Sequence, residues 1–204
     1  HWSMPLSHPS ASVRRQGVES IKKAIVQAHQ LGASTISLIP GVVNSEISQA
    51  EARKNSLAEL RKVFPLAEEL CIKLAFTNVW NGLIKTPQQA SSFIEDCQSS
   101  MAGMCLDIGN SLRHSKSNAF LEQLKGRIFK LDVKAYSLDT VKKNKGNIWK
   151  GFQAAISESE ECHSVAETVN KSAREIWLTA DVIAGGSSHL KQVLNHMNEV
   201  FDSH

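Results

Sequence analysis

The fold turns on one stretch, Met104-Cys105-Leu106-Asp107-Ile108-Gly109-Asn110. Residues 104–108 make a short apolar run, the length of a strand rather than of a helix, and Gly109-Asn110 break it off. A strand that is apolar on both faces belongs in a sheet covered on both faces, so helices are expected on either side of it in the sequence.

Working outward, the pattern repeats. Thr35-Ile36-Ser37-Leu38-Ile39 and Lys73-Leu74-Ala75-Phe76-Thr77 predict strands upstream, and residues 128–134 and Glu175-Ile176-Trp177-Leu178-Thr179 predict two more downstream. Between them lie helical periods. One runs from about Ser12 to Leu31 with Val18, Ile21, Ile25 and Ala28 on one face, and another from Gln49 to Leu70, which Pro65 should kink or divide. A third, to about Cys97, opens with the capping signature Thr86-Pro87-Gln88-Gln89, and Asn118 is read as the cap of a short fourth.

Residues 137–159 are polar, weakly patterned and too long for an ordinary connection, which predicts a functional or mobile loop. A helix near Glu160 to Lys171 and a last helix with Leu190, Val193, Leu194, Met197 and Phe201 on one face complete the chain. Strand and helix alternate throughout, which implies a parallel α/β sheet covered by helices, either a barrel or a doubly wound sheet. Five strands are readable where a closed barrel of this type has eight, and the chain opens on a helix. The expected architecture is a single domain over residues 1–204, a (β/α) barrel that is N-terminally truncated or incomplete.

At 204 residues and 42% hydrophobic content, the chain can bury one substantial core. The formal charge of +3 is scattered, without a basic block interleaved with aromatics, so nucleic acid is not an expected partner. No apolar run approaches the roughly 20 residues that span a bilayer, so no membrane partner is expected. The first residues lack the basic and apolar regions of a signal peptide. Cys71, Cys97, Cys105 and Cys162 form no CxxC pair and read as buried reduced thiols, which suits a cytoplasmic location.

In parallel α/β folds the carboxyl ends of the strands converge on the site. There the chain delivers Pro40-Gly41, Thr77-Asn78, Asp107 with Asn110, Asp132 with Lys134, and Asp181. Three carboxylates from successive strands toward one rim are the donors a hard divalent cation takes, although aspartate at a strand end also caps turns. Trp80 and Asn81 are placed to line a sugar-binding mouth, since an aromatic face suits the apolar side of a sugar ring. Gly185-Gly186, before the last helix, read as a phosphate cradle or as an ordinary turn. His114 could reach the rim or remain a solvated loop residue. Cys162-His163 with Glu158, Glu160 and Glu161 reads as a helix start more readily than as a cluster with chemistry.

The ordered landmarks Leu6-Ser7-His8-Pro9, Ile39-Pro40-Gly41, Thr77-Asn78-Val79-Trp80-Asn81, Leu106-Asp107-Ile108-Gly109-Asn110, Leu131-Asp132-Val133-Lys134 and Thr179-Ala180-Asp181-Val182 followed by Gly185-Gly186 carry a resemblance. Over most of its length the chain resembles the sugar phosphate isomerases/epimerases, whose xylose-isomerase-like TIM barrel is shared with the apurinic endonuclease family 2 proteins. The resemblance implies a divalent metal, Mn or Mg, and proton transfer beside a sugar carbonyl. It implies Asp107, Asp132 and Asp181 as metal ligands, with Asp181 and Lys134 as catalytic groups. It implies Trp80, Asn81, Asn110, Lys134, Gly185 and Gly186 as substrate contacts.

The chain departs from the family pattern at four positions. Thr77 stands where the first glutamate ligand falls, Asp132 where a histidine is usual, and Ala135 where an aspartate follows the lysine. Asp181 replaces a glutamate and is shorter by one methylene, about 1.5 Å. These changes point to activity that is weak or lost. The alternative is a non-catalytic relative that binds a carbohydrate or a protein. A small sugar or sugar phosphate is the expected ligand, and exposed edges of an unclosed sheet predict a homo-oligomer.

Overall fold

The structure, a computed structural model, describes residues 3–153, 155–172 and 176–202. In chain order it contains α1 (Ala11–Gln30), β1 (Thr35–Leu38), α2 (Gln49–Leu60), α3 (Phe64–Glu69), β2 (Lys73–Thr77), α4 (Pro87–Asp96) and β3 (Ala102–Asp107). There follow α5 (Ile108–Ser111), α6 (Ser117–Leu124), β4 (Ile128–Val133), α7 (Leu138–Lys143), α8 (Glu160–Lys171), β5 (Trp177–Ala180) and α9 (Ser187–Phe201).

Local chemistry explains most of the boundaries. Val18, Ile21, Ile25 and Ala28 are the buried stripe of α1. Pro65 falls in the first turn of α3, so the long helical period divides instead of kinking. Thr86 caps α4 by accepting the Gln89 amide, while the Gln89 side chain accepts the Lys85 N–H at 2.9 Å. Ser159 caps α8 in the same way, through the Cys162 amide.

All five strands are parallel and lie in sequence order, β1-β2-β3-β4-β5. The sheet curls into part of a barrel with helices on its convex side. Leu38, Leu74, Phe76, Met104, Leu106, Leu131 and Val133 are buried there in one continuous apolar cluster with the helices. Side-chain alternation sends the other set inward, so the concave face carries Ser37, Ala75, Cys105, Lys130, Asp132 and Thr179. The β3–β4 register shifts between Met104 and Cys105, which are opposite Ile128 and Lys130. Gly103 makes room there, since a Cβ on it would lie 2.3 Å from the Phe129 ring.

Several expectations need correction. Ile108 ends no strand: the Asp107 side chain caps α5 at that point, so the chain turns helical one residue early. Asn118 is not a cap but lies inside α6, with Lys116 at the N-cap, and its side chain donates to Ser164 Oγ at 2.8 Å. Residues 137–153 and 155–159 are not a structureless loop, because they hold α7 and two 3₁₀ segments at 148–153 and 156–158. Cys71 is exposed, whereas Cys97, Cys105 and Cys162 are buried and free. Of the apolar stripe of α9, Leu190 and Leu194 stay 55% and 58% exposed, since no further strand and helix cover them among the described residues. Glu175, at the head of the fifth expected strand, lies outside the described residues.

Candidate functional site

Asp107 is the last residue of β3 and 3% exposed. Its Oδ1 accepts the Asn110 amide at 2.8 Å, and its Oδ2 accepts Asn110 Nδ2 at 2.7 Å and Lys134 Nζ at 3.3 Å. Its backbone is clamped from β2, where the buried Asn78 side chain accepts the Asp107 N–H at 2.7 Å and donates to its carbonyl at 3.0 Å. Burial pushes the Asp107 carboxyl up to about 6, against the opposing pull of Lys134 and the Asn110 amide.

Lys134, the residue after β4, reaches between two carboxylates and makes ion pairs with Asp107 and Asp181. Burial pulls its ammonium down, but Asp107 and Asp181 outweigh that and hold it above the ordinary range. Its backbone passes so close to α5 that a Cβ on Gly109 would lie 2.9 Å from the Lys134 carbonyl oxygen. Gly109 therefore fixes the stem from which the ammonium projects.

Asp132 is directly opposite Asp107 in the sheet, yet it looks toward the middle of the concave face. Its Oδ1 holds Lys130 Nζ at 2.6 Å and its Oδ2 accepts the Cys105 thiol at 3.2 Å. Burial pulls the Lys130 ammonium down, and Asp132 reverses that and leaves it raised. Burial also pushes the Cys105 thiol up to about 12, with the Asp132 charge adding to it, so this thiol is a hydrogen-bond donor and not a nucleophile.

An aromatic cluster stands over the rim. Trp80 donates its indole N–H to the Asn110 carbonyl at 2.9 Å and packs on Tyr136, Trp149 and Phe152 at ring separations of 5.7, 5.4 and 5.2 Å. The Arg113 guanidinium lies 4.8 Å over Trp80, and Lys134 Nζ lies 5.1 Å over Phe152. Phe152 and Trp149 face a cleft of about 750 Å³, also lined by Asn110, Lys134, Asp181 and His189. Further along α9, Gln192 and His196 line the same cleft. Their spacing of three and seven residues from His189 puts all three on one helix face.

The structure brings Asp107, Asn110, Lys134 and Asp181 together, and keeps the other expected residues apart from the cleft. Trp80 supports the aromatic wall from behind. Asn81 is buried and spends its amide on the backbone, donating to the Gly41 carbonyl and accepting from Leu83 at 3.2 Å. Gly186 is the N-cap of α9, and Gly185 packs against the His189 ring. His114 is exposed beside Arg113 and Lys85. The Cys162 neighbourhood disperses into structural bonds, with Glu161 accepting the Ser117 amide at 2.5 Å and His163 Nε2 bonded to the Ser157 carbonyl at 3.0 Å. Tyr136, Trp149, Phe152 and His189 were not singled out by the sequence: Trp149 and Phe152 lie in the weakly patterned stretch 137–159, and Tyr136 stands just before it.

The metal set implied by the resemblance, Asp107, Asp132 and Asp181, shares the rim without closing on one point. Among the described residues no three His, Cys, Asp or Glu side chains are arranged to hold a metal ion. Two of the three carboxylates share the Lys134 ammonium, the third holds Lys130, and Thr77 adds no charge. These donors do not fit a divalent ion as they stand.

The chain belongs to the Xylose isomerase-like TIM barrel family, whose model matches residues 1–183. Compared by sequence with curated proteins, it matches none. Among solved structures, it is similar to a D-tagatose 3-epimerase-like protein, at TM-score 0.78 and 18% identity over 99% of this chain and 76% of that one. It is also similar to an L-ribulose 3-epimerase, at 0.71 and 18% over 95% of this chain and 63% of that one. A third relative is a probable 3-DHS dehydratase involved in petrobactin synthesis in Bacillus anthracis, at 0.76 and 13% over 96% and 73%. At these identities the likeness is one of fold, and the chain spans about two thirds to three quarters of each relative's length. No described helix is long and apolar enough to cross a membrane.

Proposed function

We propose that the cleft binds a monosaccharide or its phosphate and supports proton transfer at the carbon beside the sugar carbonyl, as an isomerase or epimerase does. The observation that carries this reading is the Lys134 ammonium, held between Asp107 and Asp181 at the edge of an aromatic-walled cleft at the carboxyl ends of β3 to β5. Ring faces suit the apolar side of a sugar, and Asn110, Gln192 and the two α9 histidines offer partners for its hydroxyls or a phosphate. In this reading residues 1–204 act as one unit in the cytoplasm.

Asp181, half exposed and in the cleft, is the candidate base. It takes the proton from the carbon next to the carbonyl, and the C–H electron pair becomes the carbon–carbon double bond of an enediolate. The carbonyl oxygen takes the negative charge beside Lys134. The proton then returns to the former carbonyl carbon as the hydroxyl proton passes between the two oxygens, so the step is redox neutral. Thr77 supplies no second base on the other side, which favours a one-face 1,2 shift between aldose and ketose over epimerisation.

The test is sugar titration followed by NMR in D₂O, with fructose, tagatose and fructose 6-phosphate as probes. Binding with deuterium uptake at the carbon beside the carbonyl is expected, and Asp181→Asn should slow that uptake at least 100-fold while leaving binding within about tenfold. Binding without uptake would favour the second reading, a non-catalytic carbohydrate-binding relative, for which Thr77 and Ala135 speak. No binding of any of the three sugars would sink both.

A further inference from the structure

We infer that the Lys134 ammonium occupies the cationic position of this site, so that a sugar oxygen in the cleft meets an ammonium and not a divalent metal ion. The inference deepens the sugar-handling reading of the same cleft, and it can be tested with the metal alone.

Four observations converge on it. Lys134 pairs with Asp107 and with Asp181, the first and last of the three carboxylates expected to bind metal. Its Nζ lies 5.1 Å over the Phe152 ring, so a third side of the ammonium is covered by an electron-rich face. Its stem is fixed by the close approach of its backbone to Gly109. The remaining carboxylate, Asp132, has one oxygen on Lys130 at 2.6 Å and the other on the Cys105 thiol at 3.2 Å.

A hard divalent ion needs several oxygen donors at once and repels any cation beside them. At this rim it would have to displace the Lys134 ammonium from two carboxylates, and among the described residues no third carboxylate is turned to help it. Two lysines against three aspartates already leave little charge uncompensated. An ammonium in this place retains the two things a sugar oxygen needs, a positive charge and a directed N–H donor. Asp107, Asp181 and Phe152 thus position the ammonium, and chelators should leave sugar binding untouched.

The experiment is calorimetric titration of MnCl₂ into the chain, its Lys134→Met and Lys134→Gln variants, and Asp107→Asn, with circular dichroism confirming that each is folded. The unmodified chain should give no saturable heat up to millimolar Mn²⁺. Lys134→Met or Lys134→Gln should gain at least tenfold in Mn²⁺ affinity, because Asp107 and Asp181 lose their ammonium. Saturable Mn²⁺ binding to the unmodified chain that Asp107→Asn abolishes would overturn the inference. Folded Lys134 variants that still ignore Mn²⁺ would overturn it too, since the ammonium would then not be what keeps the ion out. Sugar titration in EDTA separates the two readings: sugar bound only after Mn²⁺ is added refutes the ammonium and spares the sugar site.

Discussion

Asp107 concentrates the residue-scale physics of this protein. It is buried at a strand end, capped on an amide and paired with a lysine, and burial still prevails, with the carboxyl pushed up to about 6. A carboxyl raised in the folded state contributes stability that is fully present below its unfolded value and lost as pH rises through the folded one. The stability of the unmodified chain relative to Asp107→Asn should therefore fall between about pH 4 and 6, by at most roughly 1.4 kcal/mol per pH unit, and level off above that window. Urea denaturation of both proteins across pH 4 to 8 measures it, and a flat difference would mean that solvent reaches the carboxyl. Asp107 and Lys134 were legible as candidates from their places at strand ends. That Asn78 would grip the Asp107 backbone was not legible, because an asparagine after a strand reads equally well as a turn residue.

Among the described α-helices, α5 is the shortest and the most consequential for the site. It exists because Asp107 caps it, and it sits where it does because Gly109 lets β4 exit against it. Gly109→Ala should place a methyl group 2.9 Å from the Lys134 carbonyl oxygen, destabilise the chain by about 1–3 kcal/mol and weaken sugar binding together with stability. Thermal denaturation and a sugar titration on the same sample test this, and an unperturbed variant would mean that α5 shifts freely. The regular elements were readable in the sequence because period and capping are local signals. The stretch from 137 to 159 was not. Its first 3₁₀ turn presents Trp149 and Phe152 to Trp80 and Phe152 also to Tyr136, the residue just before the stretch, and its order derives from that distant contact and not from local period.

For the whole molecule, the open edges matter most. β5 is only partly covered: its own Trp177 is 67% exposed, and Ile183, Leu190 and Leu194 after it are 80%, 55% and 58% exposed. A parallel edge flanked by such a surface invites association. The 204-residue polypeptide expressed alone should form oligomers in light scattering, and Leu190→Glu with Leu194→Glu should shift it toward monomer. A monodisperse monomer before substitution would show that this face is stable in water.

The sequence by itself determined the alternation of strand and helix, the parallel sheet, the partial barrel and the rim on which Asp107, Lys134 and Asp181 meet, because strand ends in such a fold can only converge. Only the tertiary structure decided what those charges do to one another. Lys134 reaches Asp107 across 27 positions and Asp181 across a further strand, while Asp132 turns to Lys130. Pairing of charges depends on side-chain reach within a curved sheet, and no spacing along the chain encodes that reach.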